Sequence, residues 1–176
     1  MKKKIPQKLH LLIDILILVF VLLLTFSFFF PAIMVLSKGI ETVPSPITLF
    51  EYLNYSSPWL IMSFALAIIT IFSCVALLVI AMLEMFGVIA RRRTKEIIGI
   101  IIIITSILAF AFTLVYCIQN TSYSTNTDDT FLKFAPGVSM YFVLVCGFLT
   151  GVCGIVDSPV LIEEKQEEDN KEKTSM

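Results

Sequence analysis

The sequence predicts an all-α membrane protein, a bundle of four transmembrane helices with a short interfacial helix in the first outer loop. Composition is the first reason, because 57% of the 176 residues are hydrophobic and 15% are charged. The second is that four apolar runs, at about residues 11–36, 59–89, 97–118 and 135–156, reach the roughly 20 residues that cross a bilayer. These runs fill most of the chain, so we expect no separate soluble domain.

The first apolar run follows a basic start, residues 1–10, in the manner of a secretory signal. It is too long for the apolar region of a signal peptide, and no small-residue cleavage site follows it. We therefore expect a retained helix with a cytoplasmic N-terminus. Pro31 lies near the outer end of this run and predicts a kink or an early end of the helix.

Basic residues fall mainly on one side of the predicted bundle. By the positive-inside rule this asymmetry places both termini in the cytoplasm of a multi-pass plasma membrane protein. The Arg cluster could also bind anionic lipid headgroups, although orienting the chain is its simpler role. The residues expected to set topology or touch headgroups are Lys2, Lys3, Lys4, Arg91, Arg92 and Arg93.

The first outer loop contains a helix start, with Ser45 as N-cap and Pro46 at the first helical position. Apolar residues spaced by three follow, which predicts a short amphipathic helix over residues 46–54 at the membrane surface. It could simply cover the end of the bundle or could present a surface to a partner. Tyr52 and Trp59 are expected at the outer interface, where amphipathic aromatic rings prefer to lie.

Asp14 and Glu84 lie near the predicted cytoplasmic edge of the first and second spans. Ionisable residues in membrane segments are candidates for function. Their position near the edge favours pairing with headgroups or with the Arg cluster. An enzyme that uses both carboxylates at the cytoplasmic interface is a further, weaker hypothesis.

The second outer loop is polar and is expected to be weakly structured. Two N-glycosylation acceptor patterns, at Asn54 and Asn120, fall on the predicted outer side. The C-terminal segment, residues 157–176, carries seven acidic residues against three lysines, which predicts a solvated, disordered cytoplasmic tail.

Stripes of small residues mark the faces through which the helices are expected to touch. Helices in lipid associate through close packing and interhelical hydrogen bonds, and small side chains permit both. The predicted packing residues are Ser63, Ala67, Thr70, Cys74, Gly99, Ser106, Gly147, Gly151 and Gly154. These faces could pack within one bundle, or the glycines of the fourth helix could bind a second copy or another membrane protein.

The predicted membrane spans lack, in their central parts, the residues that catalysis or metal binding needs. The central thirds of the spans contain no acidic, basic, His, Asn or Gln residue, and no metal-binding or phosphate-binding motif occurs. The sequence thus predicts no enzyme activity, no catalytic or metal site, no cofactor and no nucleic-acid partner. The lipid bilayer is the expected environment.

Several segments together resemble small four-helix membrane proteins of bacteria. These segments are "SFFFPA", "SPITLFEYL", "RRRTKE" and "APGVSMYFVLVCGFLTGVCG". The layout is also similar to claudins and other tetraspan families, but the first outer loop lacks the Trp and the Cys pair that mark claudins. The resemblance implies a fold and no activity.

The leading functional hypothesis is a non-catalytic accessory or interaction subunit of the plasma membrane. The alternative is a small transporter or channel component that acts as an oligomer, with the Ser, Thr and Cys stripes lining a path. Thr70 and Thr113 would then be required for movement of a solute or ion.

Overall fold

The computed structural model describes residues 7–38, 45–54, 57–85, 92–123 and 131–157. These residues are mostly helical. The helices are α1 Gln7–Ser27, α2 Pro58–Met85, α3 Arg92–Asn120 and α4 Val138–Asp157, with a 3-10 helix at Leu49–Asn54. Pro58–Glu84, Thr94–Asn120 and Val138–Val156 are long and apolar enough to cross a membrane, which indicates a multi-pass membrane protein.

The described connections at one end of the helices pair into a four-stranded antiparallel sheet that the sequence analysis did not predict. Its strands are β1 Pro31–Lys38, β2 Ile47–Thr48, β3 Ser122–Tyr123 and β4 Phe131–Pro136, in the order β2-β1-β4-β3. We call this end of the bundle the sheet end. The prediction of a purely α-helical chain is wrong here, and the prediction of a weakly structured second outer loop is wrong for Ser122–Tyr123 and for the part of Phe131–Pro136 that falls in it.

Pro31 lies at the boundary between α1 and the sheet. The predicted first span runs to residue 36, but α1 ends at Ser27 and Pro31 begins β1. After Ser27 the chain tightens into turns, in which the Phe29 N–H donates to the carbonyl of Phe26 at 3.2 Å and the Phe30 N–H to that of Ser27 at 3.0 Å. A proline has no N–H to continue a helix, and the first residue of a strand is one of the few sheet positions it tolerates.

Two further boundaries differ from the sequence prediction. The fourth helix begins at Val138 rather than at residue 135, because Phe131–Pro136 is a strand. The helix predicted over residues 46–54 is reduced to the 3-10 helix Leu49–Asn54, because Ile47–Thr48 pairs with β1 as β2.

Gly137 joins β4 to α4 at a close backbone contact. Its N–H donates to the carbonyl of Ala32 at 2.8 Å. A β-carbon at this position would fall on the carbonyl oxygen of Pro31. Glycine is therefore required for β1 to pass this close to the start of α4.

Small and polar side chains line the contact between α2 and α3. Buried positions recur at alternating spacings of three and four on both helices, the heptad pattern of closely packed antiparallel pairs. On α2 they are Leu60, Ser63, Ala67, Thr70, Cys74, Leu77 and Ala81, and on α3 they are Lys95, Gly99, Ile102, Ser106, Ala109, Thr113 and Tyr116. The predicted α2 stripe therefore lies in the bundle interior.

Helix α1 completes the bundle by packing against α4 and α2. Its buried apolar residues are Ile13, Ile17, Val21 and Leu24, which fall on one face. Most of the other side chains described from Leu11 onwards are also apolar and exposed, with Leu12 and Ile15 each 52% exposed and Phe26 62% exposed. A helix with this surface is typical of contact with lipid.

Candidate functional site

A chain of hydroxyl groups lies between α2 and α3 at the sheet end. Ser63 Oγ donates to the carbonyl of Ala109 at 2.8 Å and lies 2.8 Å from Thr113 Oγ1. The phenol oxygen of Tyr52 lies 3.4 Å from the same Thr113 oxygen. The 3-10 helix therefore inserts a tyrosine between the membrane helices and connects the sheet end to their interior.

Tyr52 is completely buried, at 0% exposure. Its predicted place at the outer membrane interface stays a prediction, and the structure adds that the side chain is enclosed by the protein. Burial raises the pKa of the Tyr52 phenol, and the hydrogen bond with Thr113 opposes this shift only in part. The phenol is therefore neutral over the physiological pH range.

A second hydroxyl pair lies deeper between the same helices. Thr70 Oγ1 donates to Thr105 Oγ1 at 2.8 Å, and Thr105 Oγ1 donates to the carbonyl of Ile101 at 2.8 Å. We call Tyr52, Ser63, Thr70, Thr105 and Thr113 the hydroxyl seam. Each member has a protein partner, so the seam links two helices without an unpaired polar atom.

An ion pair joins α2 and α3 at the end of the bundle opposite the sheet. Lys95 Nζ pairs with the Glu84 carboxylate, and the two side chains are only 2% and 11% exposed. The sequence analysis expected Glu84 to pair with headgroups or with the Arg cluster, and it missed Lys95 as a partner. The available signal was that Glu84 lies near the end of α2 and Lys95 near the start of α3.

The small residues of α4 lie inside the bundle, against α2 and α3. A β-carbon on Gly147 would lie 2.8 Å from the Ser106 β-carbon and 3.1 Å from Thr70 Cγ2, while one on Gly154 would lie 2.8 Å from Leu77 Cδ2. Gly99 and Gly151 approach each other in the same way. Binding of a second protein through these glycines stays a prediction, and it would require them to leave these contacts.

The remaining residues singled out in the sequence lie outside the hydroxyl seam, the ion pair and the glycine contacts. Trp59 is half-buried and stacks on Phe112, with 5.8 Å between ring centroids. Asp14 is half-buried on α1. Arg92 and Arg93 form the start of α3. Lys2, Lys3, Lys4, Arg91 and nearly all of the acidic tail lie outside the described residues, as does part of the Asn54 acceptor pattern.

The described residues contain no group of three or more His, Cys, Asp or Glu side chains that could hold a metal ion. Comparisons with protein families, with curated proteins and with solved structures find no match. The function of this chain must therefore be argued from its own geometry.

Proposed function

We propose that this chain is a four-span integral membrane protein that works by binding another membrane or envelope protein rather than by catalysis. What supports this most is the contrast between its interior and its sheet end. Inside the bundle, the hydroxyl groups of the seam are hydrogen-bonded, and Glu84 forms an ion pair with Lys95. At the sheet end, large apolar side chains remain exposed on an ordered sheet.

The fourth span in this proposal is α1. Its 21 residues would extend about 31 Å at 1.5 Å per residue, close to the roughly 30 Å of hydrocarbon in a bilayer. The described apolar part of α1, Leu11–Ser27, contains one charged residue, Asp14, and has fewer residues than the other three spans. A short span is accommodated by local thinning of the bilayer at modest cost.

The proposed orientation places the sheet end outside the plasma membrane and both termini in the cytoplasm. All four strands adjoin the same ends of the helices. In the sequence the N-terminal lysines precede α1 and the Arg cluster lies at the start of α3, so the positive-inside rule favours a cytoplasmic location for the end of the bundle opposite the sheet. With this orientation the 3-10 helix lies at the outer membrane surface, where exposed Phe50 and Leu53 would meet lipid.

Orientation can be tested by adding a small protease-cleavable tag to either terminus in intact cells. We expect both tags to resist external protease and to be cleaved once the membrane is permeabilised. Cleavage of either tag in intact cells would overturn the orientation.

The interaction role is tested by crosslinking in native membranes, followed by mass spectrometry of the purified chain. A partner recovered reproducibly, and lost when the exposed face of the sheet is altered, is the expected result. Recovery of no protein other than this chain would contradict the proposal.

Transport by an oligomer is the alternative, and the hydroxyl seam bears on it. Thr70 and Thr113, which would line a path, are 0% exposed and hydrogen-bonded to other groups. We therefore favour a structural role for both residues. Flux through reconstituted protein that Thr70→Val or Thr113→Val abolishes would favour transport instead.

A further inference from the structure

The turn between α1 and β1 carries three consecutive phenylalanines, residues 28–30. Phe29 is 79% exposed and Phe30 is 46% exposed, and Phe26 at the end of α1 is 62% exposed. Contact between water and aromatic rings is unfavourable in proportion to the apolar area that the water touches. These rings are therefore more stable where apolar material covers them.

The ring of Phe30 lies at a depth that α4 defines. It stacks on Phe142, with 6.4 Å between the ring centroids. Phe142 is the fifth residue of α4, and the apolar span of that helix begins at its first residue, Val138. Four residues of helix rise about 6 Å. The ring of Phe30 is therefore level with the interior of a candidate membrane span, although Phe30 belongs to a turn.

The start of β1 lies close to the level at which α4 begins. The carbonyl of Ala32 accepts a hydrogen bond at 2.8 Å from the N–H of Gly137, the residue before α4. The turn joins the end of α1 to this level. Its phenylalanines thus lie beside the ends of the helices and not in a loop that extends away from them.

The length of α1 leads to the same depth. Its described apolar part, Leu11–Ser27, rises about 25 Å, which is less than the roughly 30 Å of hydrocarbon in a bilayer. Tilt of the helix would only shorten this distance. In the sequence, residues 15–37 include no charged side chain. The hydrocarbon can therefore extend past Ser27 to the turn, which reduces the thinning that a short span needs.

The 3-10 helix is built for the boundary between hydrocarbon and water. It has three residues per turn, so side chains three apart share a face. A helix with one face on protein, one exposed apolar face and one exposed polar face is suited to such a boundary. The buried, apolar and polar pairs are, in that order, Leu49 and Tyr52, Phe50 and Leu53, and Glu51 and Asn54.

An aromatic contact joins this helix to the turn. Phe50 packs against Phe28 with 5.2 Å between the ring centroids. Phe50 is 59% exposed and Leu53 is 58% exposed. The apolar face of the 3-10 helix is thus continuous with the phenylalanines of the turn.

We propose that lipid of the leaflet at the sheet end covers an apolar rim made of Phe26, Phe29, Phe30, Phe50 and Leu53. The rim contacts acyl chains just below the headgroups, and the boundary with water passes between the apolar and polar faces of the 3-10 helix. The turn thereby completes the span that α1 leaves short. This inference rests on the part of the proposed function in which α1 crosses the membrane. It extends the lipid contact proposed there for the 3-10 helix to a continuous surface.

Tryptophan fluorescence of the full chain in nanodiscs tests the rim. The chain has a single tryptophan, so Trp59→Phe provides a background in which one new tryptophan is the reporter. Phe29→Trp and Leu53→Trp report on the rim. Asn54→Trp is the matched control, because Asn54 is the next residue of the same 3-10 helix but belongs to its polar face.

We expect lipid brominated just below its headgroup to quench Phe29→Trp and Leu53→Trp at least about twofold more than Asn54→Trp. Aqueous acrylamide should quench Asn54→Trp most strongly. Equal quenching of Leu53→Trp and Asn54→Trp by the brominated lipid would overturn the proposal. So would quenching of Phe29→Trp by acrylamide as strong as that of Asn54→Trp.

A photoreactive phenylalanine analogue at position 29 distinguishes lipid from a protein partner in native membranes. Illumination should attach lipid to the chain. Attachment of one reproducible protein instead would mean that a partner covers the rim, and the proposal would be wrong.

Leu18→Trp separates failure of this inference from failure of the proposed function. Leu18 is 41% exposed near the middle of α1, so lipid brominated near the ends of its acyl chains should quench this reporter in the same background. If Leu18→Trp is quenched by lipid and Phe29→Trp is not, only the rim is wrong. If neither is quenched by lipid, α1 does not cross the membrane and the four-span proposal is wrong as well.

Discussion

Gly99 and Gly151 bring the backbones of α3 and α4 into direct contact. A β-carbon on Gly99 would lie 2.7 Å from the carbonyl oxygen of Gly151, and one on Gly151 would lie 2.6 Å from that of Gly99. Neither position can carry a side chain unless the two helices move apart. Such mutual approach through small residues is how helices in lipid gain packing energy.

Gly151→Leu should therefore destabilise the bundle. We expect the free energy of unfolding in mild detergent to fall by about 1–3 kcal/mol, the usual effect of overpacking a core. Ala76→Leu is the control, because Ala76 is exposed on α2 and adds the same side chain on a face free of close helix contact. Unchanged folding and oligomeric state in Gly151→Leu would show that this packing is not needed.

The ion pair at the opposite end of the bundle should be sensitive to loss of one partner. Lys95→Met or Glu84→Leu alone breaks the ion pair of a nearly buried charge, so each should cost about 3–5 kcal/mol of unfolding free energy. The double variant should recover most of that loss, since replacing both charges with apolar groups is often neutral. If the double variant lost as much unfolding free energy as the two single variants together, Glu84 and Lys95 would not be directly coupled.

The bond between Ser63 and Thr113 can be measured by a double-mutant cycle with Ser63→Ala and Thr113→Val. We expect a coupling free energy of about 0.6 kcal/mol, the average for hydrogen bonds between membrane helices. Chemical unfolding in detergent gives the free energy of unfolding of the unaltered chain, the two single variants and the double variant. Thr25 offers a comparison: its hydroxyl donates to Val21 O in its own helix, so Thr25→Val should show no coupling with Ser63→Ala.

Tyr52 should stabilise the junction between the sheet end and the helices mainly through its ring. Tyr52→Ala should cost about 3–5 kcal/mol, as truncation of a buried aromatic does. Tyr52→Phe should cost no more than about 1 kcal/mol, because its 3.4 Å contact with Thr113 is long. The unfolding of Phe50→Ala, where the ring is 59% exposed, serves as the reference. Equal losses for Ala at both positions would argue against Tyr52 as a buried anchor.

The raised pKa of Tyr52 predicts a loss of stability in alkaline solution. The folded state favours the neutral phenol, so the stabilisation is complete below the unfolded-state pKa of about 10 and is lost as the pH rises above that value. Unfolding measured at about pH 9 and about pH 11 should show a smaller alkaline loss in Tyr52→Phe than in the unaltered chain. An identical loss in both would mean that other groups cause it.

The sequence by itself determined the apolar helices and the faces on which they are buried. Length, hydropathy and the spacing of small residues are properties of a single segment of the chain. The helical period places small residues three or four apart on one face, whatever that face packs against. The small residues Ser63, Ala67, Thr70 and Cys74 on α2, and Gly99 and Ser106 on α3, are buried in the structure.

Only the tertiary structure decided the sheet, the ion pair and the position of Tyr52. β1 and β4 are about a hundred residues apart in the chain, and they pair where the end of α1 lies beside the start of α4. The partner of Glu84 depends on how α2 and α3 align, and the burial of Tyr52 depends on where the sheet places the 3-10 helix. Strand pairing and side-chain partners are relations between distant segments, so periodicity along one segment cannot specify them.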